Sequence, residues 1–156
     1  MTTWAEFAEA APVLARFGEE RFEGPGFIFL GTTRADGWPR VTPVESLIFD
    51  GGLHLGMMWQ SMKALDLLRD PRCLLHSAVA ERTGSEGEFK LRGRAADVTD
   101  EDERERYCVA LEAKIGWRPD GPFHLFAIDI VDAAKITRDG EAVDDPQQHV
   151  ELWAPR

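Results

Sequence analysis

The chain has 156 residues, 44% hydrophobic and 29% charged, a balance that fits one globular domain over residues 1–156 and excludes long-range disorder. Its 28 acidic against 18 basic residues give a formal charge of -10, which argues against sequence-blind binding to nucleic acid or an anionic membrane. No apolar run approaches the ~20 residues of a membrane helix, and the start MTTWAEFAEAAP carries no signal-peptide pattern.

Residues 1–23 read as a helical segment. Thr3 and Glu6 fit a capping box, and Trp4, Phe7, Ala8 and Ala11 recur at helical spacing. Pro12 breaks a helix interior but suits a first turn, so two short helices are expected, the second carrying Val13, Leu14, Phe17 and Phe22. Glu23-Gly24-Pro25-Gly26 stops it. Phe27–Thr33 follows as a strand, then the turn Arg34-Ala35-Asp36-Gly37. Trp38–Phe49 reads as one long strand, with Pro39 and Pro43 confining it to a sheet edge or a bulge. Asp50-Gly51-Gly52 turns the chain into a returning strand, Leu53–Met58.

Ser61–Asp70 reads as a short helix with Ser61 as N-cap and Asp70-Pro71 as its stop. Cys73–Val79 is a buried strand, Glu81–Glu86 a loop. In the next strand Phe89, Leu91, Gly93 and Ala95 alternate with Lys90, Arg92 and Arg94. Thr99–Ile115 is a helix, with Thr99 and Asp102 approximating a capping box. Tyr107, Cys108, Leu111 and Ile115 form its inner stripe, and Gly116 ends it. Phe123–Ile130 is a strand, Ala133–Arg138 another, Asp139-Gly140 a turn, and His149–Trp153 a last extended piece. The sum is mainly β (α+β): six or seven mostly antiparallel strands in a closed or partly closed barrel with flanking helices.

Two cysteines, Cys73 and Cys108, lie among apolar residues and read as buried free thiols in a reducing cytoplasm. Four histidines, at 54, 76, 124 and 149, show no zinc-binding spacing, and no nucleophile-elbow, dinucleotide or P-loop pattern occurs. Ser61-Met62-Lys63 opens a helix with a hydroxyl, free N–H groups and an ammonium, which suits a phosphate; the plainer reading of this segment alone is that Ser61 only caps and Lys63 is solvated. Arg40, between Pro39 and Pro43, is a second anion candidate, or a surface arginine paired with an acid. Met57, Met58 and Trp59 make a soft apolar patch beside Ser61, suited to a flat aromatic cofactor or to the core.

Taken in order, Gly31-Thr32-Thr33 with Asp36-Gly37, Pro39-Arg40-Val41-Thr42-Pro43-Val44, Ser61-x-Lys63-Ala64-x-x-Leu67-x-x-Asp70-Pro71-Arg72 and Leu91-x-Gly93-x-Ala95 resemble the pyridoxamine 5'-phosphate oxidase-like split β-barrel family. The resemblance covers roughly residues 25 to 130. It implies a homodimer that binds FMN, or the deazaflavin F420, in clefts shared by two subunits. It also implies that Arg40 and Lys63, with Ser61, hold the cofactor phosphate. The backbone of Val41 and Thr42 would approach the ring, and Met57 and Met58 would line its pocket. Trp153 resembles a tryptophan given by the second subunit.

True oxidases of the family continue into a basic segment beyond that tryptophan, whereas this sequence ends at Arg156. Pyridoxamine 5'-phosphate oxidase activity itself is therefore not expected. The expectation is an FMN-dependent oxidoreductase of an unassigned small molecule, cytoplasmic, with no catalytic side chain singled out. His76, Glu88 and Trp59 are pocket candidates by residue type. The alternatives are an F420-dependent reductase, whose acidic tail would need Lys63, Arg69, Arg72, Arg92 and Arg94 to converge, or a flavin- or haem-binding module without turnover, with His76 as axial ligand.

Overall fold

A computed structural model describes residues 1–81, 84–139 and 147–155. Thr3 and Glu6 form a full capping box: Glu6 N–H donates to Thr3 Oγ1 at 3.2 Å and Thr3 N–H to Glu6 Oε2 at 2.7 Å. It starts α1 (Trp4–Ala10), and Pro12 opens α2 (Pro12–Glu23). The strands and remaining helices are β1 (Ile28–Thr33), β2 (Pro39–Val44), β3 (Leu47–Phe49), β4 (Gly52–Met58), α3 (Met62–Arg69), β5 (Arg72–Ser77), β6 (Glu88–Asp97), α4 (Glu101–Ile115), β7 (Phe123–Asp139) and β8 (Gln147–Trp153).

The strands form a single sheet ordered β2-β1-β5-β6-β7-β4-β3, with β8 also pairing β7, and every pairing is antiparallel. β2 and β3 stand at opposite ends of this path, yet only Glu45 and Ser46 separate them in the chain. A sheet whose two ends are joined by two residues has to curl, and it does so as a half-barrel. β2 pairs only β1, so Pro39 and Pro43 sit on an edge strand as their missing N–H groups require.

Leu30, Leu55, Leu75, Leu91 and Phe126 fill the inner face, and Trp4, Phe7, Leu14 and Phe22 of the two N-terminal helices join the same core. The Phe22 and Phe89 rings meet edge-on with centroids 5.0 Å apart. Full burial of each such ring contributes about 1.5–3 kcal/mol, which is what holds α1 and α2 on the sheet. A second cluster of Leu47, Val98, Tyr107, Leu111 and Leu125 seats α4 against β3 and β7.

Several boundaries differ from the sequence expectation. The strand expected over Trp38–Phe49 is broken at Glu45-Ser46, because the chain leaves one sheet end there and enters the other. Phe123–Ile130 and Ala133–Arg138 are one continuous 17-residue strand. Its register steps between Arg92↔Asp132 and Gly93↔Ile130, leaving Val131 as a bulge. The N-cap of α4 is Asp100, which accepts from Glu103 N–H at 2.8 Å, in place of the Thr99–Asp102 box. Ile115 is 45% exposed and does not belong to the inner stripe, which stops at Leu111. The turn expected at Asp139-Gly140 lies outside the described residues.

Candidate functional site

The hairpin β1–β2 and helix α3 are locked together by one carboxylate. Asp66, on the buried side of α3, has a side chain only 1% exposed. It accepts from Arg40 Nε of β2 at 2.7 Å, from Thr32 Oγ1 of β1 at 2.9 Å and from Arg69 Nη2 at 3.2 Å. Arg69 also donates to the Thr33 carbonyl. Burial by itself pushes the Asp66 carboxyl up, but the three donors outweigh it and hold its pKa below the ordinary value. The sequence analysis missed Asp66. The signal was present: an acid beside Ala64 and Leu67 on the inward face of an amphipathic helix, three residues before an arginine.

This clamp fixes where α3 begins. Ser61 is its N-cap, in extended backbone at φ -62° and ψ 144°, yet its hydroxyl caps nothing. Ser61 Oγ is buried without a hydrogen-bond partner, and so is Thr42 Oγ1 on β2. An orphaned buried hydroxyl costs about 1–3 kcal/mol, so two of them on neighbouring clamped elements are places where a ligand oxygen is favoured. Lys63, one residue into the helix, has no ion-pair partner among the described residues.

Beside Lys63 opens a cleft of about 470 Å³. Met57, Met58, Trp59, Tyr107, Leu111 and Trp117 line it. Met57 is buried, whereas Met58 and Trp59 are 76% and 54% exposed at the rim. Burial raises the Tyr107 pKa to about 12, so its phenol keeps its proton at neutral pH. The structure thus brings Met57, Met58 and Lys63 to one cleft, with Ser61 two residues before Lys63 in the chain and Thr42 next to the cleft-lining Pro43.

Other expected residues lie elsewhere or are engaged. Arg40 spends its Nε on Asp66. Val41 is 67% exposed on the opposite face of β2 from Arg40 and Thr42. Trp153 pairs with Ala133, and its ring packs on Phe7 at 4.6 Å, away from this cleft in the same chain. His76 Nδ1 lies 2.7 Å from the Ser77 carbonyl and Nε2 3.5 Å from Glu88 Oε2, so neither ring nitrogen points free for a haem iron. Of the five basic residues considered for an acidic tail, Arg69 pairs with Asp66, Arg72 with Asp70 and Arg92 with Asp132. The Arg72 guanidinium drags the Asp70 carboxyl down to about 2. Among the described residues no three His, Cys, Asp or Glu side chains gather into a metal-holding group, and no helix is long and apolar enough to cross a membrane.

Solved structures share this fold at low sequence identity. A protein related to general stress protein 26, of the pyridoxinephosphate oxidase family, from Clostridium acetobutylicum superposes with a TM-score of 0.66 at 14% identity, covering 92% of this chain and 94% of that one. An F420 reductase gives 0.57 at 16% identity, over 74% and 94% of the two chains. HutZ, the haem storage protein of Vibrio cholerae, gives 0.58 at 18% identity, over 77% and 89%. No curated protein matches the sequence. The family model described as pyridoxamine 5'-phosphate oxidase matches residues 17–136, and the chain belongs to that family.

Proposed function

We propose that the chain is an FMN-dependent oxidoreductase acting on a small molecule, with the cofactor in the cleft beside α3. The observation that carries this reading is the start of α3. There the Ser61 hydroxyl is buried and unpartnered, and two residues further on Lys63, which lines an apolar, aromatic cleft, has no ion-pair partner among the described residues. A phosphate at a helix N-terminus meets backbone N–H groups and the positive end of the dipole, and Lys63 adds a full charge. A volume of about 470 Å³ is within the range of small-molecule sites.

Bound FMN would supply the hydride or electron transfer. The chain's residues supply the rest. Ser61, Lys63 and Thr42 anchor polar groups of the ligand. Met57 and Leu111 exclude water from the cleft floor, and Trp59 and Trp117 offer flat faces at its mouth. Tyr107 keeps its proton at neutral pH, so its hydroxyl can donate to a ligand atom.

The likeness to an F420 reductase supports a second reading, F420 in the same cleft. The acid partners of Arg69, Arg72 and Arg92 favour FMN, since an acidic tail would have to displace three carboxylates. The active form is proposed to be a homodimer. Phe29, Val41, Pro43 and Leu74 are register neighbours on the outer face of β1, β2 and β5, and the first two and Leu74 are 37%, 67% and 41% exposed. Such an apolar sheet face fits a second copy.

Titration of the purified protein with FMN and with F420 tests the reading. Saturable FMN binding that Lys63→Ala weakens supports it; binding of F420 alone moves the activity to deazaflavin reduction, and binding of neither overturns both.

A further inference from the structure

The turn between β4 and α3 carries both the Trp59 wall of the cleft and the Ser61–Lys63 end of the helix, and it is held from behind by one histidine. His124 of β7 lies opposite Met57 in the sheet register and is 6% exposed. Its Nε2 is 3.2 Å from the Gln60 backbone nitrogen, and that N–H donates to it. Its ring stacks on Trp59 with centroids 4.5 Å apart and planes 10° from parallel. Acceptance at Nε2 requires its lone pair, so the proton of the neutral ring sits on Nδ1.

The turn needs such support. Gln60 has φ +58°, the left-handed region that side chains disfavour. Among the described residues the other non-glycine in that region is Asp50, of a type that tolerates it; glutamine has no such local compensation. Ser61 N–H donates to the Met58 carbonyl at 3.1 Å, which closes the turn, and the Gln60 N–H has His124 Nε2 as its acceptor.

We infer that His124 is a positioning residue of the cleft: by accepting from Gln60 N–H and backing the Trp59 ring it sets both the aromatic wall and the anion-binding start of α3. This rests on the cofactor reading above for its functional meaning, but its geometry is testable without any cofactor.

Two variants separate the contacts. His124→Phe keeps a ring behind Trp59 and removes the acceptor; His124→Gln keeps an acceptor and removes the ring. Amide hydrogen exchange at Gln60 in the unliganded protein should be at least about tenfold faster in His124→Phe and close to wild type in His124→Gln. The dissociation constant for FMN should rise about tenfold in His124→Phe, with partial recovery in His124→Gln. If His124→Phe does not fold, Trp59→Leu on the solvent side removes the stack, and Gln60 exchange should again quicken. Unchanged Gln60 exchange in His124→Phe, or in Trp59→Leu where His124→Phe does not fold, overturns the inference. A wild type that binds neither FMN nor F420 defeats the cofactor reading, and the exchange rates still decide the role of His124.

Discussion

Arg40 Nε and Asp66 Oδ2 lie 2.7 Å apart, joining the edge strand β2 to helix α3 through the one carboxylate that is buried among the described residues. Lys63, three residues earlier on the same helix, has no such partner among the described residues. Two cations that the sequence offers as equivalent phosphate ligands are therefore different objects: one is built into the fold and the other is left over.

That difference predicts opposite phenotypes. Arg40→Ala strands Asp66 with fewer donors and should cost about 2–3 kcal/mol of stability, between the values for exposed and buried pairs. Lys63→Ala breaks no ion pair and should change stability by less than about 0.5 kcal/mol. It should raise the FMN dissociation constant about tenfold, the worth of one charge-assisted hydrogen bond. Urea denaturation and FMN titration of both variants check this. Equal stability losses would mean that Lys63 is structural.

The Asp66 clamp also sets an acid limit. Its pKa is lowered in the folded state, so its contribution is complete above the ordinary aspartate value of 3.8 and is lost as pH falls through the folded-state pKa. Asp66→Asn should destabilise by about 3 kcal/mol near neutral pH, because Arg40 and Arg69 then face an amide. The gap between wild type and variant should begin to narrow below pH 3.8 and close only below the lowered folded-state pKa, where the wild-type carboxyl is neutral in the fold too. Denaturant midpoints measured from pH 7 down to pH 3 give the curve; a gap independent of pH would show that charge is not what Asp66 contributes.

Local signals in the sequence were read well where they are local in cause. The Thr3–Glu6 box, the Pro12 start of α2 and the edge placement of Pro39 and Pro43 each follow from one residue's backbone chemistry. The break at Glu45-Ser46 and the bulge at Val131 were not legible, because each is set by where distant strands close the sheet. For the site, Lys63 and the methionines of β4 could be named from their neighbours. The inward place of Asp66 was readable from its helix, but its pairing with Arg40 across 26 residues was not, and neither was that of His124, whose partner is 64 residues away.

Gly18 shows tertiary packing overruling helix propensity. It sits in the middle of α2, where alanine would gain about 1 kcal/mol as a better helix former. A methyl group there would stand 2.5 Å from the Phe89 ring, itself fully buried among Trp4, Phe7 and Phe22. Gly18→Ala should therefore destabilise by about 1–3 kcal/mol through overpacking. A thermal melt decides the sign, and a stabilised variant would mean that Phe89 can withdraw.

At the alkaline end, two buried acids of opposite burden to Asp66 take over. Burial pushes the Cys73 thiol to about 12 from the ordinary 9.0, and the Tyr107 phenol to about 12 from 10.0. A raised pKa in the fold means stability that is complete below the unfolded value and declines as pH climbs towards the folded one. The protein should lose stability progressively between pH 9 and 12, and Cys73→Ala and Tyr107→Phe should each flatten that decline. The same burial keeps the reactive thiolate scarce, and Cys108 is raised for the same first reason. Iodoacetamide at pH 8 should label neither cysteine in the folded protein and both in urea, at a rate that follows unfolding. Prompt labelling of Cys73 in the native state would show that the β5–β6 face opens locally, well below the cost of global unfolding.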